Sequence, residues 1–247
     1  MRTTGAVLLV GTDRPRISAA SVLPRGKTAE EAERSLLAVI ERARPTVVAV
    51  DAPLTLPPCL TCPSFCRGPS ADLCELRAAG QVWAAGGHPV TERMCEVRLR
   101  EELASGPLPT MRIAQIAARG VALARRVLAG GTSLGAPGAV AVLEVYPYAT
   151  LSRLGQRETR LRPREPKETD GEFSGRILAG LSSEVADLDQ HRAGLVSGHA
   201  VDALIAAYTG WLHPGGLEPP PRGYNVAAGW IWTPRTTGAA SEAAISA

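Results

Sequence analysis

No stretch of the 247-residue chain approaches the ~20 consecutive apolar residues that a membrane span requires. Met1 to Val10 lacks the long apolar core and the cleavage site of a secretory signal. These absences point to a cytoplasmic protein with no membrane partner. Aromatic residues make up only 4% of the chain. None interleaves with a basic cluster, which argues against a base-stacking platform and so against sequence-specific reading of nucleic acid. A Gly-rich phosphate loop is missing as well, and with it the main support for a small-molecule phosphotransferase. No internal repeat is present. Net charge is a mild +3 with a pI near 8.7, which permits a polyanionic partner without demanding one.

What is present is enough apolar residue, 45% of the chain, to bury a core in one domain over 1–234, with an insertion at 57–87 and a disordered tail at 235–247. Val47 to Leu54, VVAVDAPL, is an unbroken apolar run that stops on Asp51 ahead of Pro53. Without polar alternation it reads as a parallel strand buried on both faces, with Asp51 at its C-terminal end. The plainer reading is an Asp that caps the following turn. Upstream, Ala6 to Val10 and Ile17 to Val22 flank the turn formers Gly11, Asp13 and Pro15, the pattern of a β-hairpin. Thr28 with Glu31 predicts a capping box, and Ala32, Leu36, Leu37 and Ile40 a buried helical stripe.

Further helices are predicted over Glu92 to Leu103, Met111 to Ala129 and Glu172 to Gln190, with a helical turn at Leu151 to Leu154. Ala139 to Tyr146 repeats the design of the Asp51 strand, an apolar run carrying Glu144 before Pro147. His199 to Leu212 forms a small-residue helix with His199 and Asp202 on one face. Tyr224 to Pro234 reads as a last strand or a covering loop. The α/β order brings out three acids, Asp51, Glu144 and Asp202. Bare carboxylates at ~4 Å repel by about 4 kcal/mol at an effective dielectric of 20, so their convergence would call for a hard cation, Mg²⁺ or Mn²⁺. His199 would then handle a proton or a phosphate oxygen.

Cys59, Cys62, Cys66 and Cys74 follow the Asp51 strand with spacing C-x2-C-x3-C-x7-C. Clustered thiols in a reducing compartment suggest a metal: a tetrahedral Zn²⁺ site or a [4Fe-4S] cluster, against the alternative of unliganded buried thiols. Cys95 and His88 are weaker substitute ligands. Arg93, Arg98 and Arg100 sit on the helix after this loop, and Arg157, Arg160, Arg162, Arg164 and Lys167 crowd the loop after Glu144. Arg93, Arg98, Arg160 and Lys167 are candidate contacts to phosphates, set against the reading that surface arginines are simply solvated.

In order along the chain, VVAVDAPL, RMCEVRLR, ARGVALARRVL, LEVYPYATLSRLG, HAVDALIAAYTG and GWIWTP resemble a family of predicted nucleases of RNase H-like fold, grouped as domain of unknown function 429. HAVDALIAA is also similar to the last-helix motif of junction-resolving endonucleases. The resemblance implies an RNase H-like mixed sheet flanked by helices, with Asp51, Glu144 and Asp202 holding Mg²⁺ or Mn²⁺ for phosphodiester hydrolysis. That fold usually carries its first metal-binding acid on a strand before the hairpin, and three readings stay open for the given sequence: a misassigned start, a truncated protein, or an absent acid, the last with the first core strand missing. Two functions follow: a metal-dependent nuclease, or a nucleic-acid-binding or regulatory protein that has lost its first acid.

Overall fold

The structure, a computed structural model, describes residues 4–23, 28–61, 92–103, 107, 109–129, 140–156, 169–222, 224, 226 and 229–236. It is a mixed α/β arrangement. The described residues hold seven α-helices and five strands. They divide into two compact units: Met1–Asp51, Arg126–Glu218 and Trp232–Ala247 in the first, Ala52–Arg125 and Pro219–Ile231 in the second.

In the first unit, β1 (Thr4–Val10) and β2 (Arg16–Leu23) form the expected antiparallel hairpin, with an irregularity between Leu8 and Leu9. Helix α1 (Ala29–Ala43) begins where the capping box predicts. The Thr28 hydroxyl accepts from the Glu31 N–H at 3.2 Å, and the Glu31 carboxylate accepts from the Thr28 N–H at 3.3 Å. Arg44 ends the helix in the left-handed region, φ 46, donating its N–H to Ile40 at 2.9 Å. Leu36, Leu37 and Ile40 are half-buried rather than buried.

Strands β3 (Val47–Val50) and β4 (Ala141–Val145) pair in parallel, Val47 against Ala141 through Val50 against Glu144. With β5 (Ile231–Trp232) the order is β3-β4-β5, and the hairpin forms a separate sheet. This corrects the expectation of a strand buried on both faces: β3 lies at an edge of its described sheet, and all four of its residues are half-buried.

Pro147 occupies the first turn of α5 (Pro147–Arg153), where a missing N–H costs nothing, so the helix starts well before the expected turn at Leu151. A second capping box, Thr169 with Glu172, opens α6 (Asp170–Leu181). The Thr169 backbone N–H, and then its hydroxyl, donate to the Glu172 carboxylate and lower its pKa below the ordinary 4.5. The helix expected to run to Gln190 stops at Leu181. The chain leaves it so that Ala186 can pair with Arg16 as an isolated bridge, and Asp187 then takes a left-handed φ of 61 before a 3-10 turn at Leu188–Gly194.

Helix α7 (Gly198–Trp211), capped by Ser197, is the centre of this unit. Ala200, Val201, Leu204, Ile205 and Tyr208 join Ile17, Leu151, Ile177, Leu181 and Leu195 in one buried cluster. Ala206 belongs to another, with Leu143, Val145 and Leu217. A helix apolar nearly all round is what such a position requires. Burial, followed by the hydrogen bond to Glu184 at 2.8 Å and that carboxylate's charge, pushes the Tyr208 phenol above its usual range. Near the C-terminal end, Arg235, the first residue of the tail expected over 235–247, is tied down by its N–H to Gly216 at 3.0 Å and its Nε to Leu217 at 2.9 Å; 237–247 lie outside the described residues.

The second unit contains α2 (Pro58–Thr61), α3 (Met94–Leu103), a 3-10 turn at Thr110–Ile113 and most of α4 (Ala114–Ala129). Its buried apolar residues include Cys95, Val97, Leu99 and Leu103 of α3 and Ala117, Leu123 and Ala124 of α4. Residues 62–87 of the expected insertion lie outside the described residues.

Candidate functional site

Parallel pairing puts the C-terminal ends of β3 and β4 side by side. Asp51 follows directly on β3 and is exposed; Glu144, level with Val50, is buried at 4%. The register also fixes faces. Val47, Ala49, Ala141, Leu143 and Val145 all contribute to the cluster that holds Ala206, so they lie on the α7 side of the sheet. Side chains alternate along a strand, and Glu144 therefore projects from the opposite face.

The direction of α7 follows from its contacts. A Cβ on Gly210 would meet Ala49 Cβ at 3.0 Å and Val47 Cγ1 at 3.3 Å, so the helix lies close against β3 at this glycine. One turn back, Ala206 packs in the cluster of Leu143 and Val145. Moving backward along α7 thus moves forward along the strands, and the two run antiparallel. Asp202 is one further turn back on the same helix face, about 6 Å or roughly two strand residues farther on. That is the end of the sheet at which Asp51 lies. Asp202 is half-buried, and His199, a turn before it, is exposed. Asp51, Glu144 and Asp202 each make polar or electrostatic interactions.

Among the described residues, no group of three or more His, Cys, Asp or Glu is gathered so that it could hold a metal ion. The alternation along β4 gives a reason: Glu144 projects from the face opposite the one that packs on α7, the helix that carries Asp202. Two carboxylates completed by water and substrate oxygens still suit Mg²⁺, which seldom takes an all-protein cage.

The arginine and cysteine candidates fall differently. Arg93 is 0% exposed, and its guanidinium is spent inside the second unit: Nη2 donates to Glu96 at 2.9 Å, Nε to Thr110 at 3.0 Å and Nη1 to Thr55 at 3.0 Å. Glu96, 1% exposed, also accepts from the Arg93 and Thr110 N–H groups at 2.8 and 3.3 Å. This buried network was not foreseen, although an Arg and a Glu three apart at a helix start can be seen in the sequence. Arg98 is half-buried against Trp230. Cys59 is half-buried in α2, and Cys95 is buried in α3 as a core residue. Cys62, Cys66, Cys74, Arg160 and Lys167 lie outside the described residues.

The class of protein defined so far is a mixed α/β chain in which no described helix is long and apolar enough to cross a membrane. The chain belongs to the family described as Protein of unknown function (DUF429), whose pattern matches residues 2–223. No curated protein and no solved structure matches it significantly.

Proposed function

We propose that this protein is a cytoplasmic, metal-dependent phosphodiesterase acting on nucleic acid, with an RNase H-like core. What supports the reading is that Asp51 follows the C-terminal end of a parallel strand and that Asp202, on a helix running antiparallel to that strand, lies toward the same end. Ligands gather outside the carboxyl ends of parallel strands in open α/β sheets, because loops and helix ends leave a crevice there. Held between the two aspartates, Mg²⁺ or Mn²⁺ would supply the charge that activates a water and stabilises the leaving oxygen of a phosphodiester. His199, exposed one turn from Asp202, is placed to exchange a proton with solvent or substrate. Glu144 would have to round the end of β4 to join them, so the reading rests on the aspartates. Arg160 and Lys167 follow the same strand in sequence and are assigned to substrate phosphates.

A second reading draws on the position of Glu144. If only two acids meet, the protein binds nucleic acid or regulates without cleaving it. Incubation of labelled DNA and RNA with Mg²⁺ or Mn²⁺ separates the two. Cleavage lost in Asp51→Asn and in Asp202→Asn supports the enzyme, and tight binding by the wild type without cleavage rejects it. Glu144→Gln then tells whether the third acid takes part. We assign the four-cysteine loop to a structural metal, Zn²⁺ or [4Fe-4S]. Metal analysis with an absorption spectrum of anaerobically purified protein decides between them, since broad absorption near ~400 nm belongs to the cluster and a colourless protein to zinc.

A further inference from the structure

Arg93, Arg98 and Arg100 occupy α3 and the residue before it, and two of them come with their own counter-ion. Arg93 pairs with Glu96 at 2.9 Å, and Arg100 pairs with the buried Glu92. Arg98 has no acidic partner among the described residues. Its guanidinium carbon lies over the Trp230 ring, 4.8 Å from the centroid, and its Nη1 is shut off from solvent with no hydrogen-bond partner. The Trp230 indole nitrogen is in the same condition, on a residue only 6% exposed. Tyr224 holds the ring from its edge, 5.1 Å between centroids, while the Tyr224 hydroxyl donates to Gly229 at 2.8 Å.

Two donors, one of them cationic, therefore stand next to each other with nothing among the described residues to accept from them. The cation–π contact satisfies neither N–H, because it uses the face of the ring and not its edge. Buried donors without acceptors are rare in folded proteins and point to a missing partner. An acid built into the fold would have served as it does for Arg93 and Arg100; its absence only here suggests that the counter-ion arrives from outside.

We propose that Arg98 and Trp230 form an oxyanion site that takes a phosphate group, with one oxygen on the Arg98 guanidinium and another on the Trp230 indole N–H. The indole N–H lies in the ring plane and the guanidinium lies above it. A tetrahedral oxyanion offers oxygens at both heights, whereas a planar carboxylate matches the guanidinium fork alone. Arg98 is half-buried on a long side chain, so it can shift to grip the anion while Trp230 stays fixed. The site belongs to the second unit and does not depend on the reading of Asp51 and Asp202.

The full chain, ¹⁵N-labelled, gives a direct readout in its four tryptophan indole N–H signals, with that of Trp230 assigned by its loss in Trp230→Phe. Titration with inorganic phosphate at constant ionic strength should move the Trp230 signal downfield and saturate. Arg98→Lys should raise the dissociation constant on the order of 10-fold and Arg98→Met more. Trp230→Phe keeps the ring and the cation–π contact but deletes the donor, and should weaken phosphate binding several-fold by calorimetry. Acetate should leave the signal in place. A dinucleotide phosphodiester binding more tightly than inorganic phosphate assigns the site to a nucleic-acid backbone, and the reverse order assigns it to free phosphate; either result supports the site. No saturable shift overturns the proposal, as does an unchanged midpoint in Arg98→Lys, which retains the charge and guards against misfolding of Arg98→Met. An equal response to acetate overturns the assignment to phosphate.

Discussion

Helix α7 in the first unit and helix α3 in the second are both largely buried, for opposite reasons. Helix α7 is apolar on nearly every side and is enclosed by two hydrophobic clusters. By composition α3 belongs on a surface, yet Glu96 along it and Glu92 and Arg93 just before it are as hidden as its Val97 and Leu99. Charge content alone therefore does not set exposure. A buried charge is tolerated where geometry supplies a matched partner and the remaining donors and acceptors are filled, and the Arg93–Glu96–Thr110 network supplies both.

The comparison can be broken most forcefully at Glu96. Glu96→Ala leaves the guanidinium of Arg93 buried without its carboxylate and should cost about 3–5 kcal/mol in urea denaturation. Replacing the pair together, Arg93→Met with Glu96→Leu, should recover much of that loss, because no uncompensated charge remains. If Glu96→Ala cost less than about 1 kcal/mol, close to the worth of an exposed pair, the second unit would not depend on this network. Next comes Leu204→Ala in α7, with an expected loss of about 3 kcal/mol from transfer and cavity terms, measured in the same way. Gly210→Ala should be smaller. Alanine favours the helix by about 1 kcal/mol, but its methyl would press on Ala49 and Val47, and a net loss of about 1 kcal/mol in thermal unfolding is expected.

The smallest effect belongs to the surface cap of α6. Thr169→Ala should cost about 0.5 kcal/mol near neutral pH. Its pH dependence has a definite sign. The folded-state pKa of Glu172 is lowered, so its contribution is present above the unfolded value of 4.5 and disappears as the pH falls through the lowered folded value. The unfolding temperatures of wild type and Glu172→Gln should converge over that acidic range, and a constant gap would show that the carboxylate form does not matter.

Local chemistry made much of this architecture legible. Gly11, Asp13 and Pro15 announced the hairpin, and Thr28 with Glu31 announced the start of α1, because both depend on neighbours in sequence. Thr169 with Glu172 carried the same signal and passed unnoticed in a charged, Pro-containing stretch. Pro147 follows the apolar run of a strand and also opens a helix, and only the first of these shows in the pattern before it. The candidate site was legible in its parts and less so in its geometry. That Asp51 and Glu144 sit near parallel strand ends could be read from the apolar runs, but their faces depend on a register that only pairing supplies. The burial of Arg93 and Glu96 depends on Thr55 and Thr110, too far along the chain for any periodicity to register.

A Cβ on Gly5 would overlap the carbonyl oxygen of His199, and at the other end of α7 the Trp211 indole donates to Gly11 at 2.9 Å. Strand β1 is thus fastened along the whole helix that carries Asp202. If opening of the helix's first turn and fraying of the hairpin are one event, an ion held by Asp202 as proposed should slow hydrogen–deuterium exchange in β1 amides that never touch it.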